Sequence, residues 1–152
     1  MTLSPEIRAA LKQLLVLHEG YRKFPYPDTE GNITIGIGYN LTDRGLPDAW
    51  INQQYEEDVN YFCSRLNEDY PWFKHLTPAR QMVLINMCFM GYKKIAGFKQ
   101  MIKALEKGDY KTAAVEMLDS QWAREVKGRA TMLADMMRDN RMFKDGALAW
   151  AS

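Results

Sequence analysis

Two carboxyl side chains near the amino terminus, Glu19 and Asp28, lie nine positions apart, and Thr34 follows six positions later. Cleavage of a glycosidic bond uses two carboxyl groups in different environments, because one protonates the leaving oxygen while the other acts from the opposite face of the sugar. Glu19 ends a predicted helix, where the helix dipole disfavours its ionised form, as a general acid requires. Acid pairs are common in proteins, so this spacing alone does not distinguish catalytic groups from surface carboxylates.

The segment that carries Thr34 has the pattern of a β-strand. Residues 32–39 alternate, with Thr34, Gly36 and Gly38 on one face and the isoleucines and Tyr39 on the other. Glycine inside a strand marks close approach by a ligand or by another segment, and the sequence leaves both interpretations open. Residues 30–32 are typical of the turn of a small hairpin.

The rest of the chain is predicted to be helical from its apolar periodicity and its Ser, Pro and Gly boundary residues. The predicted helices span residues 5–17, 46–51, 53–67, 78–90, 98–107, 110–118 and 126–142. The fold class that follows is α+β and mostly helical, with a small antiparallel sheet near the amino terminus.

The composition restricts the number of domains, the kind of partner and the state of the cysteines. A chain of 152 residues forms one domain, and its net charge of +1 is the balance of −4 over residues 1–76 and +5 over residues 77–152. The basic half indicates an anionic partner or an uneven solvated surface. Cys63 and Cys88 lack metal-ligand spacing and are expected to be buried free thiols, which suits a reducing cytoplasm. No apolar run is long enough to span a membrane, and the amino terminus has no signal-peptide pattern.

Three short motifs occur in order around the candidate acids: residues 18–20 (His-Glu-Gly), 28–31 (Asp-Thr-Glu-Gly) and 34–38 (Thr-Ile-Gly-Ile-Gly). Their residues and gaps resemble the signature of the phage lysozymes, glycoside hydrolase family twenty-four. Residues 85–87, 96–98, 113–115 and 120–122 resemble markers of the family's helical lobe. The resemblance covers residues 6 to 138 and is far more specific than an acid pair.

The resemblance implies a lysozyme-like, two-lobed fold with the glycan cleft between the lobes. We expect a single domain over residues 1–152, with an N-terminal lobe at 18–52 and a connector helix at 53–67. The C-terminal helical lobe would span 71–152 and be joined by the helix at 5–17.

The resemblance also implies roles for individual residues. Glu19 resembles the general acid, and Asp28 and Thr34 resemble the pair that positions a water for attack with inversion. Arg129, seven positions after Trp122, resembles the arginine that holds the catalytic glutamate.

Three further residues are candidates for substrate binding. Phe89 resembles an aromatic residue that lines the cleft, although it is equally well interpreted as a core residue. Tyr39 and Asn40 stand where the family often has histidine after the glycines, and we assign them to substrate binding too. The resemblance implies no metal and no cofactor.

The expected function is hydrolysis of the β-1,4 bond between N-acetylmuramic acid and N-acetylglucosamine in peptidoglycan, for host cell lysis. Alternatives are a lytic transglycosylase, a non-catalytic wall-binding or virion module, and a nucleic-acid-binding helical domain that only the basic half supports. A monomer is expected, held in the bacterial cytoplasm until its release to the periplasm.

A basic amphipathic segment near the carboxyl terminus indicates either contact with an anionic outer membrane or ordinary helix packing. Its basic residues are Arg124, Lys127, Arg129, Arg138, Arg141 and Lys144.

Overall fold

The computed structural model describes residues 2–150, which form eight α-helices and five short strands. They divide into two compact units, one ending at Tyr55 and the other beginning at Glu56. All three strands of the first unit belong to one small sheet, and helices dominate the second. The predicted α+β, mostly helical class is therefore confirmed.

Helix α1 (Pro5–Glu19) begins at the predicted residue and ends two residues beyond the predicted range of 5–17. The Ser4 hydroxyl accepts a hydrogen bond from the amide of Ile7, and Pro5 occupies the first helical position, where its missing amide proton is not needed. Gly20 ends the helix with a φ of 82°, a conformation that glycine adopts without strain.

The sheet of the first unit has the order β1-β2-β3, and neighbouring strands are antiparallel. Its strands are β1 (Arg22–Pro27), β2 (Ile33–Gly36) and β3 (Tyr39–Asn40), followed by the one-turn helix α2 (Leu41–Arg44). The loop between β1 and β2 lies where the hairpin turn was predicted.

The predicted alternation along residues 32–39 is wrong beyond Ile35. Strand β2 ends at Gly36, and Gly36 and Gly38 both have a φ of 66°, so the chain turns between them. Tyr39 pairs with Ile35 from the neighbouring strand instead of continuing the same strand. The glycines therefore form a turn and not the bare face of one long strand.

Helix α3 (Asp48–Asp69) is continuous, and the two separate helices predicted at 46–51 and 53–67 are wrong in this respect. Its residues include no glycine or proline, so nothing in the backbone interrupts it. The boundary between the two units falls within this helix, after Tyr55.

The second unit packs five further helices around an apolar core. They are α4 (Pro78–Cys88), α5 (Lys99–Glu106), α6 (Tyr110–Leu118), α7 (Gln121–Val126) and α8 (Gly128–Asp139), with 3-10 helices at Phe73–His75 and Tyr92–Gly97. Fully buried core side chains include Leu66, Leu84, Met87, Met117 and Met137. Helix α8 contacts both α6 and α4, so it lies at the centre of this packing.

The helix predicted at 126–142 is wrong at both ends. Lys127 has a φ of 43° and separates α7 from α8, and left-handed Asn140 ends α8. Beyond it, β4 (Arg141–Lys144) and β5 (Ala147–Trp150) form a hairpin around Asp145 and Gly146, whose φ angles of 53° and 81° fit a tight turn. The single basic amphipathic helix does not exist in this form.

The thiols of both cysteines are free, with Cys88 buried and Cys63 half-buried. Within residues 2–150, no helix is both long enough and apolar enough to cross a membrane.

Candidate active site in the first unit

The side chain of Glu19 lies directly against Gly38 in the turn between β2 and β3. A Cβ atom added to Gly38 would stand 3.0 Å from both Cγ and Oε2 of Glu19. Carbon atoms in favourable contact are about 3.5–4.0 Å apart, so a side chain at position 38 would require the Glu19 side chain to move. Gly36, by contrast, has no atom within 4 Å of such a Cβ. Position 38 thus has two reasons for glycine, the positive φ that it shares with Gly36 and the close approach of Glu19.

Asp28 follows β1, and the loop that leads to β2 wraps around its carboxylate. Its Oδ1 atom accepts hydrogen bonds from the amides of Glu30 at 2.9 Å and Asn32 at 2.8 Å. Its own amide donates to the carbonyl of Asn32 at 2.8 Å, which closes the loop. No residue within 2–150 donates to Oδ2. The carboxylate is therefore held in one orientation with one oxygen left for another donor.

Thr34 lies in the middle strand of the sheet, opposite Tyr26 of β1 and Asn40 of β3. It is 5% exposed, and among residues 2–150 it is the only buried polar or charged residue. Its hydroxyl has no hydrogen-bond partner among those residues. The hydroxyl oxygen is not among the fully buried unpartnered atoms of the described residues, so it keeps access to solvent and is available to a water.

Tyr26 is a residue of the site that sequence reasoning missed. Its hydroxyl donates a long hydrogen bond, 3.5 Å, to the backbone carbonyl of Glu19. Its backbone pairs with that of Thr34, so Tyr26 connects the end of α1 to the middle of the sheet. The signal that could have found it is the strand that must precede the predicted hairpin turn.

The side chains of Tyr39 and Asn40 bond within their own segment. The Tyr39 hydroxyl donates to the carbonyl of Gly45 at 2.7 Å, and its ring packs 5.0 Å from that of Trp50. The Asn40 side chain caps α2 by accepting from the amide of Asp43 at 3.0 Å. These contacts give both residues a structural role, and their assignment to substrate binding stays a prediction.

Arg129 belongs to the second unit, in the first turn of α8. Its Nε and Nη2 atoms donate to the side-chain oxygen of Asn86 at 3.0 and 2.8 Å, and Nη2 also donates to the Asn86 carbonyl at 2.9 Å. The exposed guanidinium is therefore held in a fixed orientation. Its predicted pairing with Glu19 stays a prediction.

Phe89, also in the second unit, follows the end of α4. It is 47% exposed, and its ring lies 5.1 Å from that of Phe62 in an edge-to-face arrangement. Phe89 is thus not a core residue, which favours a surface role for it.

The first unit thus holds three of the predicted groups on one scaffold. Glu19 ends α1, Asp28 lies in the β1–β2 loop, and Thr34 lies on β2. Two carboxyl groups and a hydroxyl are the kinds of group that can supply a proton, accept a proton and orient a water. Residues 2–150 contain no cluster of three His, Cys, Asp or Glu side chains suited to a metal ion.

Comparison with known proteins identifies the family. The model of the phage lysozyme family matches residues 16–138. The chain belongs to the phage lysozyme family. It is a lysozyme-like peptidoglycan hydrolase, as the three motifs around Glu19, Asp28 and Thr34 led us to expect.

Individual relatives agree with this family. Probable T4-type lysozyme 2 of Dictyostelium discoideum is 25% identical over 152 aligned residues, which cover 80% of this chain and 89% of that protein. Probable T4-type lysozyme 1 of the same organism is 24% identical over 159, covering 85% and 94%. The pre-baseplate central spike protein Gp5 of Enterobacteria phage T4 is 30% identical over 151, covering 80% of this chain and 26% of that longer protein.

Proposed function

We propose that this enzyme hydrolyses the β-1,4 bond between N-acetylmuramic acid and N-acetylglucosamine, with Glu19 as the general acid and with Asp28 and Thr34 positioning a water. The observation that carries the proposal is the contact of Glu19 with Gly38, because the glutamate then lies beside the turn that follows the strand of Thr34, with Asp28 in the loop before that strand.

The proposed reaction assigns one task to each group. Protonated Glu19 donates its proton to the glycosidic oxygen as the bond to the anomeric carbon breaks. A water attacks that carbon from the opposite face and gives up its proton to Asp28, so the configuration inverts. The fixed orientation of Asp28 and its unpartnered Oδ2 suit the base, and the unpartnered hydroxyl of Thr34 suits a second contact to the water.

Arg129 is proposed to support Glu19 through a charged hydrogen bond. The proposal rests on the resemblance to the family, and within its own unit the guanidinium is oriented by three hydrogen bonds to Asn86.

The test is digestion of purified peptidoglycan in water enriched in oxygen-18. We expect products with reducing ends that carry one heavy oxygen, and early time points read by NMR should show the inverted anomer. Anhydro sugar ends without heavy oxygen would contradict hydrolysis and indicate a lytic transglycosylase. Glycan strands that stay intact would contradict both reactions and indicate a non-catalytic wall-binding module.

We further propose that the enzyme acts as a monomer in host cell lysis, made in the bacterial cytoplasm and released to the wall. The matched relatives include both Dictyostelium proteins and a phage spike protein, so their names do not choose between lysis and a virion role. Lysis that depends on co-expression of a membrane-pore protein would support release from the cytoplasm.

Contact with an anionic outer membrane also stays a prediction, now for the hairpin that bears Arg141, Lys144 and the exposed Trp150. Dye uptake by intact Gram-negative cells treated with the Glu19→Gln protein tests it.

A further inference from the structure

An open cavity of about 370 Å³ lies between the start of α4 and the carboxyl-terminal hairpin of the second unit. Thr77 and Pro78 line it on one side, and Met142, Lys144 and Ala149 line it on the other. Met142 and Lys144 are two positions apart on β4, and Ala149 pairs with Met142, so all three share one face of the hairpin. Ligand pockets measure about 300–1,000 Å³, so this space suits a small ligand. We call it the hairpin cavity.

The opposite face of the hairpin anchors it to the helices. Phe143 and Leu148 pair on that face, and Leu148 packs against the apolar core. Strand β4 also contacts both α4 and α8. The groups that line the hairpin cavity are therefore carried by a hairpin that is held in place from its other side.

Two polar side chains of the hairpin cavity offer donors that no acceptor within the described residues satisfies. The Lys144 ammonium forms no ion pair among residues 2–150, not even with Asp145, the next residue in the hairpin turn. The Thr77 hydroxyl donates to Oδ1 of Asn140 at 2.5 Å, which orients the Asn140 amide at the edge of the cavity. The Asn140 nitrogen donates to no atom of residues 2–150 and is not fully buried, so it is available to a ligand. An ammonium and an amide that both lack acceptors favour an anion.

The other walls of the hairpin cavity are apolar. Pro78, Met142 and Ala149 contribute aliphatic groups, and Trp150, which is 73% exposed, lines the cavity as well. The Arg141 guanidinium lies 5.6 Å from the centre of the Trp150 ring, within the range of a cation–π contact that steadies the ring. An apolar wall beside free donors favours a ligand that joins one anionic group to a small apolar group.

The number of basic groups at the hairpin cavity favours one carboxylate over an extended anionic surface. Among the described residues, Lys144 is the one basic residue that lines the cavity, since Arg141 lies on the opposite face of β4. Anionic lipid surfaces are recognised by clusters of about four to eight lysine and arginine residues. A single ammonium instead matches a single carboxylate, for which the Asn140 amide is a second donor.

We propose that the hairpin cavity is a second wall-binding site, which takes the carboxyl-terminal alanine of a peptidoglycan peptide stem. Such a residue joins a carboxylate to a methyl group, which is the combination that the cavity favours. Lys144 and Asn140 bind the carboxylate, and Met142 and Trp150 pack against the methyl group. This inference rests on the proposed function, because it takes peptidoglycan as the substrate. It adds a contact to the peptide part of the wall from the second unit, which does not carry Glu19.

The experiment measures binding to the Glu19→Gln protein by titration calorimetry, with N-acetyl-D-alanyl-D-alanine as the probe. The carboxyl-terminal amide of the same peptide is the matched ligand, since it lacks only the negative charge. We expect the amide to bind about tenfold more weakly than the acid, and Lys144→Gln to weaken binding of the acid about tenfold. Lys144→Arg, which keeps the charge, should retain most of the affinity. Lys103→Gln is the control variant and should bind like the parent protein, since Lys103 is an exposed lysine of α5 outside the hairpin cavity.

Co-sedimentation of the Glu19→Gln protein with purified walls supplies a second readout. Removal of the peptide stems by an amidase should weaken this binding, and Lys144→Gln should weaken it on intact walls but not on stripped ones. Equal affinity for the acid and the amide, or unchanged binding by a folded Lys144→Gln protein, would overturn the site. Inorganic phosphate that competes as well as the peptide, or phosphatidylglycerol vesicles bound through Lys144, would overturn the peptide stem as the ligand. Peptide binding by a chain whose wild type leaves glycan strands intact would overturn the proposed function alone.

Discussion

Replacing Gly38 with alanine is expected to displace the carboxylate of Glu19, the proposed general acid, without unfolding the protein. The new Cβ would lie 3.0 Å from Cγ and Oε2 of Glu19 and 3.1 Å from its Cβ. Relief of these contacts to about 3.5–4.0 Å requires the Glu19 side chain to move by roughly 0.5–1 Å. A misplacement of about 1 Å at a reacting group costs about 100-fold in rate, equivalent to about 2.7 kcal/mol.

Gly36→Ala is the matched control for this change. Both glycines have a φ of 66°, so both alanines suffer the same left-handed backbone strain of about 1–2 kcal/mol. Only at Gly38 does the added methyl group meet Glu19, since the space at Gly36 is open. Any difference between the variants beyond this strain therefore reports the position of the carboxylate.

The assay is the initial rate of muropeptide release from purified peptidoglycan, with the melting temperature measured for each variant. We expect Gly36→Ala to retain activity within about threefold and Gly38→Ala to lose about 100-fold, with similar losses of stability. Equal activities in two equally stable variants would refute the reasoning that the contact with Gly38 positions Glu19.

Three predictions concern the second unit. Arg80→Met should lower the free energy of unfolding in urea by about 1–3 kcal/mol, because Arg80 donates to the last carbonyls of α8 at 2.7 and 3.3 Å and stacks 3.6 Å from the centre of the Tyr110 ring. Burial raises the pKa of Cys88 to about 12, so iodoacetamide at mildly alkaline pH should label Cys88 only after unfolding, as peptide mass spectrometry would show. Hydrogen bonds from the side chain and amide of Thr112 lower the pKa of Asp109. Its stabilisation is therefore present above the ordinary carboxyl pKa and lost as the pH falls through the lowered value, so Asp109→Ala should lower the melting temperature near neutral pH but not in strong acid.

Local signals in the sequence were sufficient to predict much of the secondary structure of the first unit. The proline and glycine at the ends of α1 and the turn residues at 30–32 placed Glu19 at a helix end and Asp28 in a loop, and both are found there. What the sequence did not show is the contact between Glu19 and Gly38. That contact depends on the turn formed by two glycines with positive φ, which interrupts an alternation that suggested one straight strand.

The helix predicted through residue 142 was wrong because two sequence signals competed in this segment. The spacing of its methionines and basic residues favoured a helix through residue 142, whereas the Asp-Gly pair at 145–146 is a strong hairpin signal. The hairpin formed, helped by the left-handed Asn140, a conformation that asparagine adopts more readily than most residues. The hydrogen-bond partner of Arg129 could not be predicted from local sequence either, since Asn86 lies 43 positions away in the chain.

The most direct test of the account is muropeptide release by Glu19→Gln compared with the wild type and with Glu30→Gln, an exposed acid in the neighbouring loop. Loss of a general acid costs about 100- to 10,000-fold, so Glu19→Gln should lose at least 100-fold while its melting temperature and Glu30→Gln activity stay near wild type. A folded Glu19→Gln protein that releases muropeptides at the wild-type rate would contradict the assignment of Glu19 as the acid.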